Sequence, residues 1–453
     1  MILGAGPAGL GAAWKLAQAG WSVTLIERNA RVGGLARTLE FGSFKTDIGP
    51  HAFIGHNPLI VDFIRSLLAD DFYGIEERTH FYLGGKYISF PSGDVRSVLN
   101  GFGAATCAEI LFDFLTAIVT SVFRKEEPAS FEDYVVARFG RRLSDLLLLG
   151  FTEKILGLPA AQISPAWAQH RIKGFTFAAL VKRFLIKSVG GRDRVMTPLF
   201  YAATGMSTLY ERMRNDLELD SKASFVLGAY PTQIKHVGDR VTELIFSTPT
   251  GNRCVELSEL VSSIPLGHMV ELLDPAPPTE VREAVRKLRF RSHIALLITL
   301  DKPSAMSDLW LYFPEKQIPF GRVSEPRNFS TKMSPEGKTS LLVEFFCTED
   351  DELWTKTERE LLGMALGPLH RMGLVHPNNV LGSYMHKERY AYPVYDLGYS
   401  ENLETVKKYL RGLANLRSIG RAGEFRFMLQ HHALQSGFRA AEELIHPGTS
   451  KTA

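Results

Sequence analysis

The chain has 453 residues, enough for about three domain-sized units of roughly 150 residues each. Hydrophobic residues make up 45% of it and charged residues 22%, which excludes a mainly disordered, collagen-like or coiled-coil protein. With 52 Lys+Arg against 49 Asp+Glu, the net charge of +3 is too small for a dedicated nucleic-acid binder.

The three cysteines lie far apart in the sequence, so they indicate neither a disulfide framework nor a metal site. They are typical of a protein in the reducing cytoplasm. No signal-peptide pattern opens the sequence, which favours the same location. We therefore expect a cytoplasmic protein without a bound metal.

A short strand, a glycine turn, a helix and a second strand begin the chain. Gly4, Gly6 and Gly9 have the G-x-G-x-x-G spacing that lets a backbone approach a pyrophosphate at a helix N-terminus. Glu27 ends the second strand, close to the expected distance of about 20 residues for an acid that binds a ribose hydroxyl. The segment predicts a Rossmann-type dinucleotide-binding domain.

A helical region follows between residues 100 and 190. Ile110, Phe114 and Ile118 have helical spacing. The apolar stretch 110–123 is shorter than the roughly 20 residues that span a bilayer and is interrupted by Asp113, so no transmembrane segment is expected. We interpret it as a buried core helix; a helix lying in one face of a membrane is the alternative.

Strand-like runs return in the second half of the chain. They cover 224–234, 240–247, 292–300 and 341–346, and the segment 402–445 reads as helix, strand, turn and helix. Together with the Rossmann-type start, this order predicts an α/β fold.

A second glycine pair lies just after the acid of the first motif. The run from Arg28 onward contains Gly34, Leu35 and Arg37. It resembles the extended fingerprint of FAD enzymes in the amine oxidase, protoporphyrinogen oxidase and phytoene desaturase group. The resemblance implies that the cofactor is FAD and that these four residues help to bind it.

Two further motifs resemble elements of the UDP-galactopyranose mutases. Gly49, Pro50 and His51 are similar to a turn whose histidine lies beside the isoalloxazine ring. The run 319–329 is similar to a stretch whose arginine, here Arg322, faces the flavin and the substrate pyrophosphate. The resemblance implies that the turn binds cofactor, that His51 and Arg322 are catalytic, and that Arg322 binds substrate.

The carboxyl-terminal part continues this resemblance. Tyr392 and Tyr395 lie in a run similar to the Tyr-Pro-Val-x-Asp element and are expected to bind substrate, while Gly420 and Arg421 match a Gly-Arg turn. The resemblance implies that this turn binds cofactor and that Arg421 is catalytic, serving the substrate phosphates. Tyr230 would stand where relatives contact adenine through the backbone.

The sequence departs from the mutases where they bind substrate. Phe427 replaces a tyrosine and Leu429 replaces an aspartate, so a hydroxyl and a carboxylate are absent. Both positions remain candidates for substrate binding, but a larger or more apolar substrate than UDP-galactose becomes plausible. The simpler interpretations are that His51 is a histidine of the core and that Arg322 and Arg421 are surface residues.

Two classes of reaction follow from the resemblance. In the first, reduced flavin N5 attacks a nucleotide-linked sugar, which is isomerised between pyranose and furanose forms while Arg322 and Arg421 neutralise the pyrophosphate. In the second, an FAD-dependent oxidase or desaturase acts on an amine, porphyrinogen, polyene or natural-product intermediate. A flavin-binding protein without catalysis is a third possibility. The first class is our leading hypothesis.

The resemblance also implies an architecture. A Rossmann-type FAD-binding domain in three pieces would carry a helical insert and a sheet-bearing substrate domain. The FAD-binding pieces would cover 1–99, 191–266 and 405–446, the helical domain 100–190 and the substrate domain 267–404. The expected partners are a small-molecule substrate, a nucleotide sugar in the leading hypothesis, and a second copy of the chain in a homodimer.

Overall fold

The computed structural model describes residues 1–55, 57–89, 95–123, 127–171, 199–219 and 222–447. The predicted helical domain therefore lies outside the described residues from position 172 onward.

A five-stranded parallel sheet forms the centre of the nucleotide-binding part. Its strands, in spatial order, are Ala223–Leu227, Val23–Glu27, Ile2–Leu3, Leu260–Ser262 and Leu416–Ser418. The central strands consist of buried apolar residues, as expected for a parallel sheet covered on both faces. The strands come from three distant parts of the chain.

Two helices cover this sheet in unusually close contact. Pro7–Gln18 packs against Gln430–Ile445 through Gly11 and Gly437. A Cβ atom at Gly437 would lie 2.0 Å from the carbonyl oxygen of Ala8, and one at Gly11 would lie 2.7 Å from that of Leu434. The helix backbones therefore touch, which fixes the carboxyl-terminal helix over the glycine turn.

Three smaller sheets surround the nucleotide-binding part. The first has four strands, in spatial order Gly251–Glu256, Arg240–Thr248, Tyr230–Val237 and Leu273–Asp274. The second pairs Thr38–Phe41 with Phe44–Asp47. The third contains Phe53–Ile54, Leu199–Ala202 and Phe72–Ile75.

A seven-stranded, mostly antiparallel sheet forms the second large layer. Its strands, in spatial order, are Val380–Pro393, Phe290–Leu300, Thr339–Cys347, Arg322–Ser324, Trp310–Tyr312, Thr79–Leu83 and Lys86–Ile88. The second and third strands in this order, Phe290–Leu300 and Thr339–Cys347, are buried along almost their whole length, and Glu358–Arg371 packs on one face.

The longer helices of the described residues are distributed over all parts of the molecule. Besides those already named, they are Pro58–Leu68, Val95–Phe102, Ala104–Phe123, Phe131–Phe139, Ser207–Leu219, Thr279–Lys287 and Tyr399–Arg411. The shorter helices are Arg141–Leu143, Ser144–Leu149, Gly150–Leu156, Ala166–Arg171, Leu266–Glu271, Pro326–Phe329, Glu352–Thr355 and Gly420–Gly423. Single 3₁₀ turns cover Gly34–Ala36, Ala69–Asp71, Ala160–Gln162, Thr331–Met333 and Pro377–Asn379.

The helix Ala104–Phe123 is less buried than the sequence predicts. Phe114 and Ala117 are buried, but Phe112 is 70% exposed and Val119 59%. Because the stretch is apolar without a polar periodicity, its sequence does not indicate which face of the helix packs against the core. In the structure only one face does. Within the described part of the chain, we find no helix long and apolar enough to cross a membrane.

Two strand assignments differ from the sequence-based expectations. The run predicted over 224–234 forms two strands in different sheets, because Gly228 has a φ of +68° and turns the chain between them. The hairpin 79–88 belongs to the seven-stranded sheet, although it lies within the range expected for FAD binding. Its partner strand is more than 200 residues away, a pairing that local sequence does not encode.

Candidate active site

A cleft opens where the parallel strands end. Gly4, Glu27 and Ser263 lie at the carboxyl ends of three of these strands, and Gly420 lies shortly after a fourth. The carboxyl edge of a parallel sheet is where α/β proteins bind ligands. The cavity has a volume of about 430 Å³. Its lining is Gly4, Gly6–Ala8, Ile26–Asn29, Gly34–Arg37, Pro50–Ala52, Ala229–Pro231, Ser263–Pro265, His268, Glu388–Tyr390, Gly420–Ala422, Met428–Gln430 and Ala433.

The glycine turn has the shape that the sequence predicts. Gly4 has a φ of +90°, and a Cβ atom at Gly9 would lie 1.9 Å from the Gly4 carbonyl oxygen, so neither position tolerates a side chain. Gly6 caps the helix that begins at Pro7 and lines the cleft. The helix N-terminus thus faces the cavity, as a diphosphate requires.

Glu27 is buried at the end of its strand, and its carboxylate is fixed by two neighbours. It accepts hydrogen bonds from the backbone of Ala5 at 2.9 Å and from the backbone and side-chain amides of Asn29 at 2.9 and 2.6 Å. The carboxylate is therefore oriented at the cleft wall, where the acid of a Rossmann-type site binds a ribose hydroxyl. Tyr230 also lines the cleft and is 51% exposed.

Two arginines of the second glycine motif meet an acid that the sequence analysis did not identify. Glu388 lies 3.3 Å from the Arg28 guanidinium and 3.5 Å from that of Arg37, and all three line the cleft. The buried Nε of Arg37 has no hydrogen-bond partner among the residues that the structure describes. A buried, unpaired guanidinium nitrogen beside a glycine turn indicates an anionic ligand, so the residues fit the diphosphate of FAD.

Arg37→Met is expected to weaken FAD binding by about 10- to 100-fold, because a charge-assisted hydrogen bond contributes roughly 1.5–3 kcal/mol. Equilibrium dialysis of the apoprotein against FAD measures the change. Arg31→Met is the matched control, since Arg31 is 58% exposed, pairs with Glu40 and is not among the residues lining the cleft. An Arg37 variant that binds FAD as tightly as the Arg31 variant would contradict the assignment.

His51 lies where the cofactor cleft approaches two predicted catalytic arginines. Its carbonyl oxygen accepts a 3.0 Å hydrogen bond from Gln430, whose side-chain oxygen accepts one from Tyr210. Burial, followed by the positive charges of Arg421 and Arg322, lowers the pKa of His51 to about 3. The imidazole is therefore neutral at physiological pH, and its buried Nδ1 has no hydrogen-bond partner in the described part of the chain.

Arg322 is held by a buried carboxylate. It stands directly opposite Glu344 on neighbouring strands, and two of its nitrogens lie 2.5 and 2.6 Å from the two carboxylate oxygens. His293 contacts the same carboxylate at 2.9 Å. Burial raises the pKa of Glu344, but the charge and hydrogen bonds of Arg322 and the hydrogen bond of His293 outweigh it and lower the pKa to about 2.

Arg421 stabilises the segment that carries the departures from the mutase pattern. Its Nε and Nη2 donate to the carbonyl oxygen of Met428 at 2.9 and 2.5 Å, and its Nη1 donates to that of Ala391 at 2.9 Å. The guanidinium also lies 5.5 Å from the ring centroid of Tyr392 and 5.0 Å from that of Phe427. The side chain ties the turn to the neighbouring strand.

The remaining predicted substrate residues are three aromatic residues and Leu429. Tyr392 and Phe427 stack with centroids 6.1 Å apart, and Leu429 lines the cleft. Tyr395 is buried, stacks on Tyr399 and accepts a hydrogen bond from the backbone of Phe427 at 2.9 Å. Tyr395 therefore lies beneath the Phe427 segment, just beyond the end of the strand Val380–Pro393.

Six residues predicted to contact cofactor or substrate are outside the lining of the described cavity: Gly9, Gly49, Arg322, Tyr392, Tyr395 and Phe427. Gly9 acts through the shape of the turn. Gly49 is positioned over the ion pair, because a Cβ atom there would lie 3.4 Å from Glu344 and 3.6 Å from Arg322. The turn Gly49–His51 thus connects the cleft to this pair.

A buried carboxyl group, Asp47, precedes that turn and was not recognised as a site residue. It accepts hydrogen bonds from the hydroxyls of Thr38 and Tyr201 at 2.6 and 2.7 Å and from the backbone of Met206 at 3.2 Å. Burial outweighs these bonds and raises the pKa of Asp47 from 3.8 to about 7. The folded state therefore holds this proton more tightly than the unfolded chain.

Asp47→Asn is expected to make the free energy of unfolding less sensitive to rising pH. Because the pKa is raised on folding, the stabilisation is complete below about pH 4 and is lost as the pH rises through 7. Between these values the wild type should lose on the order of 3 kcal/mol more than the variant. Urea unfolding at a series of pH values tests this; parallel curves for the two proteins would contradict it.

No group of three or more His, Cys, Asp or Glu side chains in the described ranges has a metal-binding arrangement. The two adjacent histidines, His431 and His432, have ring centroids 4.0 Å apart and begin the carboxyl-terminal helix.

Comparison with known proteins places this fold and cleft in a family. The family model described as "Flavin containing amine oxidoreductase" matches residues 7–445. The chain is 34% identical to a 1-hydroxycarotenoid 3,4-desaturase of Flavobacterium sp. over 87 residues, 18% of this chain and 17% of that protein. It is 25% identical to a "Probable UDP-galactopyranose mutase" of Klebsiella pneumoniae over 170 residues, 36% of this chain and 42% of that protein. Both matches thus cover less than half of the relative.

Among solved structures, reduced UDP-galactopyranose mutase superposes with a TM-score of 0.84 at 20% identity, over 100% of this chain and 94% of the other. This likeness establishes the predicted α/β fold. The family match establishes the predicted cofactor, FAD. The chain belongs to the flavin-containing amine oxidoreductase family and is an FAD-dependent enzyme.

Proposed function

We propose that the enzyme catalyses the net oxidation of a largely apolar, uncharged substrate. The observation that carries the proposal is the pairing of Arg322 with Glu344. A guanidinium bound through two nitrogens to a buried carboxylate contributes no net charge to its surroundings, so this pair is a poor partner for a pyrophosphate. The oxidative class, our second hypothesis from sequence, thereby becomes the first.

The surroundings of Arg421 support the same conclusion. At least three of its donor contacts go to backbone carbonyls, and aromatic rings lie against its guanidinium. Phe427 packs edge-on against Trp167, and Tyr392 packs edge-on against Phe346. The Arg421 guanidinium is thus already engaged by the protein, and a sugar nucleotide would have to displace these contacts to bind its phosphates there.

The roles of the chain's own groups follow from their positions. Leu429, beside His51 in the cleft wall, would contact apolar parts of the substrate. His51 would offer an uncharged hydrogen-bonding nitrogen, because its lowered pKa makes it a weak base. FAD in the cleft would supply the hydride acceptor, with dioxygen or another acceptor taking the electrons. The substrate would therefore bind without a change in the protonation of His51.

The second candidate function is the isomerisation of a nucleotide-linked sugar, our leading hypothesis from sequence. It is favoured by the position of Arg322 beneath the Gly49–His51 turn, next to the cofactor cleft. In that reaction Glu344 would have to release Arg322, or share it, when the pyrophosphate binds. A cytoplasmic location and a homodimer remain predictions for either function.

The proposal is tested by mixing the oxidised holoenzyme anaerobically with uncharged polyenes such as carotenoids, and separately with amines and porphyrinogens, which carry charge at neutral pH, and recording the flavin absorbance. Bleaching with a polyene, followed by recovery in air, is the expected result. With that substrate, Leu429→Asp should lower kcat/KM by at least about 10-fold, because it introduces a charge into an apolar wall. Leu397→Asp is the control, since Leu397 is 54% exposed and outside the cleft lining.

A Leu429→Asp enzyme that turns over the apolar substrate as fast as the Leu397→Asp enzyme would contradict the assigned contact. If no substrate of these classes bleaches the flavin, the oxidative proposal fails.

A further inference from the structure

Three polar side chains lie in a row across one edge of the seven-stranded sheet. Strand Trp310–Tyr312 runs parallel to Thr79–Leu83 with Leu311 opposite His80, and Lys86–Ile88 runs antiparallel on the other side with Ile88 opposite Phe81. Asp308 lies just before the first of these strands and Ser89 just after the last. The register therefore places Asp308 and Ser89 on either side of His80.

The contacts within this row are short and ordered. The Nδ1 of His80 lies 2.6 Å from Oδ1 of Asp308, and the Nε2 of the same ring lies 2.6 Å from Oγ of Ser89. The Asp308 side chain is only 8% exposed, whereas that of His80 is 28% exposed. A buried carboxylate that accepts the Nδ1 hydrogen leaves Nε2 free to accept the hydroxyl hydrogen of the serine.

We infer that Ser89, His80 and Asp308 form a nucleophilic serine site that hydrolyses carboxylic esters. An alcohol nucleophile, a base within hydrogen-bond reach and a third group that orients the base are the arrangement that activates a serine. None of the three residues lines the cofactor cleft. The site is therefore separate from the flavin chemistry and does not depend on the proposed function.

The reaction needs no group beyond the ester and water. Ser89 Oγ bonds to the ester carbonyl carbon while its proton moves to Nε2 of His80. The bond from that carbon to the alkoxy oxygen then breaks, and the alcohol leaves with the proton from His80. Water attacks the acyl-serine in the same way, which releases the carboxylic acid and restores the serine hydroxyl. Asp308 acts as a positioning residue throughout.

The alternative is that this hydrogen-bonded row serves only to join three strands. The two interpretations predict different reactivities for Ser89. A structural serine is as unreactive as any alcohol, whereas a serine beside a positioned base reacts with a fluorophosphonate. We therefore propose to treat the holoenzyme with an alkyl fluorophosphonate and to identify the modified residue by peptide mass spectrometry. Release of p-nitrophenol from p-nitrophenyl acetate provides a second readout.

The expected result is modification of Ser89 in the folded protein and none after denaturation. His80→Gln should slow it by at least about 100-fold, the typical contribution of a general base. Asp308→Asn should slow it as well and change its pH profile, because the amide no longer fixes the Nδ1–H form of His80. Ser66→Ala is the matched control, since Ser66 is exposed and its hydroxyl bonds only to the carbonyl of Phe63 among the contacts described.

Two outcomes would overturn the inference. One is folded wild-type protein, with its normal flavin absorbance, in which Ser89 remains unmodified. The other is modification of Ser89 that proceeds equally fast in the His80→Gln protein. Because the first outcome requires no variant, the inference can be refuted even if the substitutions prevent folding.

Discussion

Gly437→Ala is expected to destabilise the protein by about 3 kcal/mol and to release much of its FAD. The added methyl would lie 2.0 Å from the carbonyl oxygen of Ala8 and 2.7 Å from the backbone nitrogen of Ala12. Both are backbone atoms of a helix, so neither can rotate away as a side chain could. The helix Gln430–Ile445 must move, and the cleft residues Gln430 and Ala433 move with it.

Gly363→Ala is the matched control, because the same change is made inside another helix where nothing lies within 4 Å of the new atom. There alanine should stabilise the protein by about 0.5–1 kcal/mol, the ordinary helix-propensity gain. Urea unfolding and the ratio of flavin to protein absorbance measure both effects. A Gly437 variant as stable and as rich in flavin as the Gly363 variant would contradict the close helix contact.

Arg322→Leu is expected to cost about 3–5 kcal/mol, because it leaves the buried carboxylate of Glu344 without its main partner. The double variant Arg322→Leu/Glu344→Leu should recover most of that loss, since no unpaired charge is then buried. With the Glu344→Leu single variant these proteins complete a double-mutant cycle, and its interaction free energy measures the pairing on which the proposed function rests.

The exposed pair Arg411–Glu404 is the control for this cycle. Both side chains are more than half exposed, so Arg411→Leu should change the free energy of unfolding little. The pH dependence gives a second check: Glu344 has a lowered pKa, so its contribution is present at neutral pH and is lost as the pH falls from about 4.5 towards 2. A wild type and a double variant with the same acid sensitivity would contradict the pairing.

The nucleotide-binding part could be predicted well because its signals are local. Gly4, Gly6 and Glu27 lie within one strand–helix–strand unit, and short-range spacing alone defines their geometry. The helix, strand, turn and helix at the end of the chain are likewise confirmed, in Tyr399–Arg411 through Gln430–Ile445. Such units fold on nearby contacts, so their sequence pattern is sufficient.

The partners of the predicted residues could not be predicted, because strand register and distant contacts set them. Arg322 meets Glu344 and Arg37 meets Glu388 only once the seven-stranded sheet is assembled. One signal was available for the first pair: a glutamate within an otherwise apolar strand, Thr339–Cys347, requires a buried cation. No such signal marks the row of Ser89, His80 and Asp308, which comes from two separate segments.

We propose that this FAD enzyme oxidises its substrate and does not isomerise nucleotide sugars. The most direct test is to incubate the holoenzyme anaerobically with UDP-galactose and other nucleotide sugars, with and without dithionite, and to separate the products by chromatography. We predict no ring isomers under either condition and no change in the flavin spectrum on adding UDP. Ring isomers that appear only with the reduced enzyme would contradict the claim and establish the mutase-like reaction.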